Sequence, residues 1–279
     1  MSRIGLVADS SCGLPRAISD RFHIEIVPID VIIDDTPKSD YTTAELVQAL
    51  KIGKRVTTSR PSPDQFVQAY QRLVDQGFNS IVVATLSSEL SGTYESALLS
   101  SESVAVDVYV VDTRTVGLGF GFAVLDAARA RDSHSANQLE KMIRHHSEQA
   151  RVYFYLDTLE FLRKGGRIGA ASALIGTALS VKPILQIANG SVMPFAKVRT
   201  ESKALDRLVE AALVSQQQSR DPRFGVEHLG APEKARYCLD LLRAAHPTAE
   251  IILSEVSAVI GAHAGPGLVA ISASNNPQE

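Results

Sequence analysis

The sequence predicts an α/β protein: a parallel sheet covered by helices on both faces, then a mixed sheet with helices on one face. Three observations carry this. The first half alternates short, nearly continuous apolar strings with helical patterns, as expected for strands buried on both sides. The helical stretches between them open with capping signals. The second half breaks at a glycine pair and continues into alternating runs around an Asn-Gly pair.

The strand strings of the first half are "RIGLVAD" from Arg3, "HIEIVPIDVII" from His23, "NSIVVATL" from Asn79, "VDVYVVD" from Val106 and "RVYFYLD" from Arg151. Thr42–Glu45, Ser62–Gln65 and Ser135–Gln138 each match a capping box, in which a hydroxyl takes one backbone N–H and the residue three on reaches back. Pro63 then stands at a first helical position, where its missing N–H costs nothing. In the second half, "FLRKGGRIGAASALIGTALS" reads as two helical pieces separated at Gly165-Gly166. "KPILQIANGSVMPFAKVRT" reads as a hairpin, because Asn189-Gly190 suits a turn with two positive φ angles. An amphipathic helix over Glu201–Gln218 follows, then a strand "RFGVEHLG", a helix near Pro232–Ala245, and strands "AEIILSEV" and "GLVAIS". The sequence boundary falls near residues 155–165, giving units 1–158 and 159–279.

At 279 residues and 45% hydrophobic composition the chain can bury one or two domain cores. A net charge of −3 lacks the basic footprint of a nucleic-acid binder. Cys12 and Cys238 make neither a disulfide framework nor a zinc motif, so two reduced thiols of a cytoplasmic protein are expected. The opening "MSRIGLVADSS" does not fit a signal peptide, and no run approaches the ~20 apolar residues of a membrane span.

Ligands of open α/β sheets sit beyond the carboxyl ends of the strands. Four hydroxyl-rich stretches lie there: Asp9–Ser11, Thr57–Ser62, Thr85–Ser96 and Asp112–Thr115. Each residue has an ordinary alternative as a turn or N-cap former, and Asp9 and Asp112 fit that role best. No P-loop is present. "GLGFGF" (Gly117–Phe122) reads as small residues for close helix packing, His145-His146 as surface, and Ser91 lacks the G-x-S-x-G signature of a nucleophile. What remains is an anion site built from hydroxyls and helix N-terminal N–H groups, with Ser91-Gly92-Thr93 as a helix start.

"ADSSCGLP", "TTSRPSP", "SSELSGTYESA", "VVDTRTVGLG", "FLRKGGRI" and "GAHAGPG" occur in the same order as in the DegV family of bacterial fatty-acid-binding proteins, and the resemblance spans nearly the whole chain. Arg60 departs from it, standing where the family usually has Gln. The resemblance implies a three-layer α/β/α domain with a parallel sheet and a two-layer α/β domain with a mixed sheet, enclosing one long-chain fatty acid. It implies a carboxylate held by Thr58, Ser59 and Ser91, with Gly92 and Thr93 in the same "LSGTY" loop, His263 as a further partner and Arg167 nearby. It implies no cofactor, no metal and no catalysis of its own; the lipid is presented to a separate ATP-dependent fatty acid kinase subunit. Lys197, Arg199 and Lys203 are the expected partner-binding patch, and Arg163, Lys164 and Arg167 a second basic cluster. Phe120, Phe122, Ile175, Leu179 and Ile184 are candidates for the tail tunnel. Two other functions stay open: a dihydroxyacetone-kinase-like substrate subunit with His263 as the covalent anchor, and a lipid-sensing regulator.

Overall fold

A computed structural model describes residues 3–174 and 181–276. Strands β1 (Ile4–Asp9), β2 (Ile24–Val27), β3 (Val31–Ile33), β4 (Thr36–Lys38), β5 (Val56–Thr58), β6 (Ser80–Thr85) and β7 (Asp107–Asp112) come from the first half. β2-β1-β6-β7 form an all-parallel sheet, and β4-β3-β5 a small antiparallel one. The single string from His23 is thus two strands in different sheets. Pro28 separates them, and it has no N–H for a ladder.

Helices α1 (Arg16–Arg21), α2 (Thr43–Lys51), α3 (Pro63–Asp75), α4 (Thr93–Ser100), α5 (Leu118–Ala130) and α6 (Ala136–Gln149) intervene. All three capping boxes form, at α2, α3 and α6. Phe66, Ala69 and Tyr70 of α3 cover Val7, Ile81 and Val83 on one face of the parallel sheet. Phe120, Ala123 and Ala127 of α5, with Leu139 and Ile143 of α6, cover Leu6, Val82 and Ala84 on the other.

The second half adds β8 (Arg151–Tyr155), β9 (Lys182–Ala188), β10 (Ser191–Val198), β11 (Pro222–His228), β12 (Glu250–Glu255) and β13 (Val269–Asn275). Their order is β10-β9-β8-β13-β11-β12, with β11-β12 parallel and the other pairs antiparallel. One face carries α8 (Glu201–Ser215) and α9 (Pro232–Ala245); α7 (Glu160–Lys164) and α10 (Ala258–Ala264) are short. Asn189 and Gly190 take φ values of 52° and 82°, as the hairpin requires.

Strand β8 corrects the sequence reading, which grouped it with the first-half strands. It pairs antiparallel with β9 and β13, so the passage between the two large sheets falls between Asp112 and Arg151, ahead of residue 158. A fully apolar string looks alike in either kind of sheet.

α5 lies between the sheets, and every residue from Leu118 to Ala128 is buried. Gly121 allows this, since a Cβ there would sit 2.1 Å from the Cys12 carbonyl oxygen. A charged cluster ties α5 to β11. Arg223 is 0% exposed and Asp126 1%. Arg223 Nη1 donates to Asp126 Oδ1 at 2.6 Å, Nη2 donates to Oδ2, and Nε donates to Ser274 Oγ at 2.8 Å. The guanidinium also lies 4.6 Å from the centre of the Phe122 ring. His146 Nδ1 is 2.9 Å from Asp126 Oδ2, so this histidine belongs to the cluster and is only half-buried surface, whereas His145 is exposed. Cys12 and Cys238 are buried and unpaired.

Candidate functional site

A cavity of about 110 Å³ lies between the sheets. One water requires ~10–15 Å³ on the same measure, so this is no packing defect. Most of its wall is aliphatic, including Leu86, Leu90, Leu162, Val256, Ile260 and Leu268. Thr58, Ser91, Arg167 and His263 line it as well, drawn from β5, the loop before α4, the loop after α7, and α10.

β5 pairs with β3 through Val31 and Thr58, which fixes Thr58 at the strand end. Its Oγ1 lies 2.8 Å from His263 Nε2. His263 Nδ1 is buried with no partner. Burial, reinforced by the positive charge of Arg167, lowers the imidazole pKa to about 4. The ring is therefore neutral at pH 7 and acts by hydrogen bonding. Gly165 gives it room: a Cβ there would stand 2.2 Å from Nδ1. The glycine pair that breaks the helical pattern thus also seats the imidazole.

Arg167 is exposed and marks the cavity mouth. Its Nε donates to the Leu90 carbonyl at 3.0 Å and its Nη1 to the Gly165 carbonyl at 2.7 Å. Ser91 Oγ pairs with Thr93 Oγ1 at 2.8 Å. Gly92 is the N-cap of α4 and has no side chain to close the helix end. Arg60 lies across it, since a Cβ on Gly92 would be 2.9 Å from Arg60 Nη1. Ser59, Gly92 and Thr93 are not lining residues; the Ser59 N–H donates to the Asp30 carbonyl.

Three other hydroxyls at the start of the Thr85–Ser96 stretch are engaged elsewhere. Thr85 Oγ1 donates to the Val111 carbonyl, Ser87 Oγ to the Gly190 carbonyl at 2.7 Å, and Ser88 Oγ to Asp112 Oδ2 at 2.5 Å. Asp9 likewise accepts from Ser11 N, Ser11 Oγ and Leu86 N. Burial raises its pKa to about 6 against those bonds. Asp9 and Asp112 are loop-formers; Ser91 is the serine of the Thr85–Ser96 stretch that lines the cavity, and Ser11, held by Asp9, also belongs to its wall.

Of the tail candidates, Phe120 and Phe122 are buried on α5, and Ile184 belongs to the core beneath α8. None of the three lines the cavity. Ile175 and Leu179 lie outside the described residues. Sequence reasoning also missed Glu227, which does line it. The available signal was a strand string, "RFGVEH", holding two charges in a run otherwise fit for burial; such charges need buried partners.

Lys197 lies in β10, Arg199 just beyond its end and Lys203 in the first turn of α8, all exposed. Their acidic neighbour Glu201 is taken up by Lys234 at 2.7 Å, and Lys164 by Glu160. Among the described residues no group of His, Cys, Asp and Glu could hold a metal ion, and no helix is long and apolar enough to cross a membrane.

The family model "Uncharacterised protein, DegV family" matches residues 3–276. A DegV domain-containing protein of Streptomyces coelicolor is 41% identical over 99% of this chain and 100% of its own. A fatty acid-binding protein of Thermotoga maritima is 29% identical over 96% of each chain. Among solved structures, a fatty-acid-binding DegV family protein from Thermus thermophilus superposes with a TM-score of 0.93 at 30% identity, covering 98% of this chain and 100% of that one. DegV of Bacillus subtilis, a fatty acid binding protein, gives 0.90 at 29% identity, covering 99% and 100%. With the parallel sheet, the mixed sheet and nearly the full length in common, the chain belongs to the DegV family.

Proposed function

We propose that this protein binds one long-chain fatty acid in the cavity between its sheets and works in the cytoplasm as a carrier without chemistry of its own. The observation that carries this is a largely aliphatic cavity with Thr58, Ser91, Arg167 and His263 in its wall. Two hydroxyls, a neutral imidazole and one guanidinium suit a carboxylate, and the aliphatic wall suits its chain. Ser59, Gly92 and Thr93 belong to the same two loops without lining the cavity, and Thr93 bonds Ser91. Burying about fifteen methylene groups at roughly 0.8 kcal/mol each contributes on the order of 12 kcal/mol gross. Association costs of several kcal/mol offset part of it. The head-group bonds, at about 1 kcal/mol each, then set orientation more than affinity. Native mass spectrometry of the protein purified from a bacterial host tests the proposal. A retained mass of a long-chain fatty acid is expected; protein that carries no lipid and is not stabilised by added palmitate or oleate would sink it.

Ser91→Ala should weaken binding by about 1–3 kcal/mol, since a buried carboxylate loses a donor. Ser88→Ala should leave affinity nearly unchanged, because Ser88 serves Asp112. Calorimetric titration of both variants with oleate decides; equal losses would remove Ser91 from the head-group site.

The presentation step extends the same reading. Arg167 marks the mouth, and Lys197, Arg199 and Lys203 form an exposed basic patch without ion-pair partners among the described residues. Such a patch sets encounter rate and partner choice and is screened by salt. It would dock an ATP-dependent kinase subunit that phosphorylates the carboxylate. Arg199→Glu is expected to slow acyl-phosphate formation by that subunit at least severalfold while fatty-acid affinity stays put. A collapse of affinity would move Arg199 into the pocket, and no change in either would leave the patch a solvated face.

A further inference from the structure

Glu227 is unused by the fatty-acid reading, and a carboxyl group is foreign to a tunnel for a plain acyl chain. It lies on β11, where every residue is buried, and it belongs to the cavity wall with Ser11 and Ala270. Oε2 accepts a hydrogen bond from Leu118 N at 2.9 Å, which closes the start of α5. Oε1 is equally buried and has no partner. The register sets Glu227 opposite Ala270 of β13, so Ser272, two residues on, shares its face of the sheet. Ser272 Oγ is near enough to favour the ionised carboxylate but not in bonding geometry with it, and is itself buried without a partner. From the other side Gly13 and Gly117 press on the group; a Cβ on either would meet a carboxyl oxygen at 2.3 or 2.6 Å. The helix end needs only Oε2. The second oxygen, on a residue of the cavity wall, and the serine behind it, which does not itself line the cavity, remain two buried polar atoms at one place.

We propose that Glu227, backed by Ser272, is a second polar station that selects a fatty acid bearing a hydroxyl group along its chain. The proposal rests on the fatty-acid reading and adds the class of acid. A methylene chain satisfies neither atom. A chain hydroxyl donates to the ionised carboxylate and accepts from the protonated acid, so it serves both forms. Burial raises the Glu227 pKa to about 7, so both forms are populated near neutrality. Sites built to bond a hydroxyl discriminate strongly against the analogue lacking it, because their polar groups are then left unpaired.

Lipid-stripped wild type, Glu227→Gln and Glu227→Leu should be titrated with stearic acid and with hydroxystearic acids substituted at successive positions along the chain. One position is expected to bind wild type at least about tenfold tighter than stearic acid. Glu227→Gln, which can still bond a hydroxyl, should keep part of that preference. Glu227→Leu should lose it, so that the favoured hydroxylated acid binds no more tightly than stearic acid. If no hydroxylated acid exceeds stearic acid on wild type, or if Glu227→Leu keeps the preference, the station is overturned while the fatty-acid reading stands. Failure of every acid, stearic included, would overturn that reading instead. The wild-type comparison decides even if the leucine variant does not fold.

Discussion

Asp126→Ala is expected to lower the unfolding free energy by about 3–5 kcal/mol, measured by urea denaturation of the lipid-free protein. The substitution strips Arg223, which is 0% exposed, of its bidentate partner. Ser274 still accepts one N–H, and the Phe122 face still covers the guanidinium, but neither neutralises a buried charge. His146 loses the acceptor that orients its ring. Most of the cost is therefore the stranded charge and not the lost attraction. It follows that Asp126→Leu combined with Arg223→Met should be far milder than the single change, because buried ion pairs replaced by apolar groups are often neutral. A single-variant loss under about 1 kcal/mol, or a double variant worse than the single, would contradict the burial of this pair.

The second large effect is a crossed pH dependence of stability. Glu227 and His263 both line the cavity, and burial shifts them in opposite senses. Glu227 rises from 4.5 to about 7, so the native state holds its proton longer than the unfolded chain. Its contribution is full below pH 4.5 and is lost as pH rises through 7, by about 3 kcal/mol. His263 falls from 6.5 to about 4, so the native state sheds its proton sooner. Its contribution is full above pH 6.5 and is lost as pH falls through 4, by a similar ~3 kcal/mol. Between pH 4.5 and 6.5 the two slopes oppose each other. Asp9, raised to about 6, adds a slope of the same sign as Glu227, so variants must be compared with wild type at each pH. Glu227→Gln should stabilise the lipid-free protein at pH 8 and leave it unchanged at pH 4.5. His263→Asn should do the reverse. Unfolding midpoints for both at the two pH values test this; parallel shifts would mean that neither group titrates as its burial requires.

Local chemistry made much of the fold legible. The three capping boxes, the Asn189-Gly190 turn and the helix at Pro232–Ala245 depend on neighbours within four residues, and all appear as read. Long-range pairing was not legible. Nothing in "RVYFYLD" says whether its neighbours run parallel or antiparallel, because both faces are buried either way. Asp126 and Arg223 are 97 residues apart, and no local pattern links them. The same holds at the site. Thr58, Ser91, Arg167 and His263 were found through motif resemblance, but motifs do not say which hydroxyls are already engaged. The motif set Ser91 apart as a helix start, but only the structure shows Ser87 and Ser88 engaged, by the Gly190 carbonyl and Asp112. Glu227 left only the signal of a charge in a strand otherwise fit for burial, and nothing local says what it faces.

The position of α5 has a consequence for synthesis. Its buried run from Leu118 to Ala128 packs on one side against β1 and β6, already made, and on the other against β11 and β13, still to come. Gly225, whose missing side chain admits Leu118, emerges about a hundred residues later. At ribosomal rates of ~5–20 residues per second that interval is roughly 5–20 s. One edge of β8 can pair with β9 soon after, through Val152 and Ile187, but its other edge waits for β13, where Val152 pairs with Ser272. For those seconds the nascent chain carries a completed parallel sheet with a bare apolar helix and a strand open along one edge. It is then a substrate for holding chaperones and for self-association, and the emergence of β13 ends that exposure.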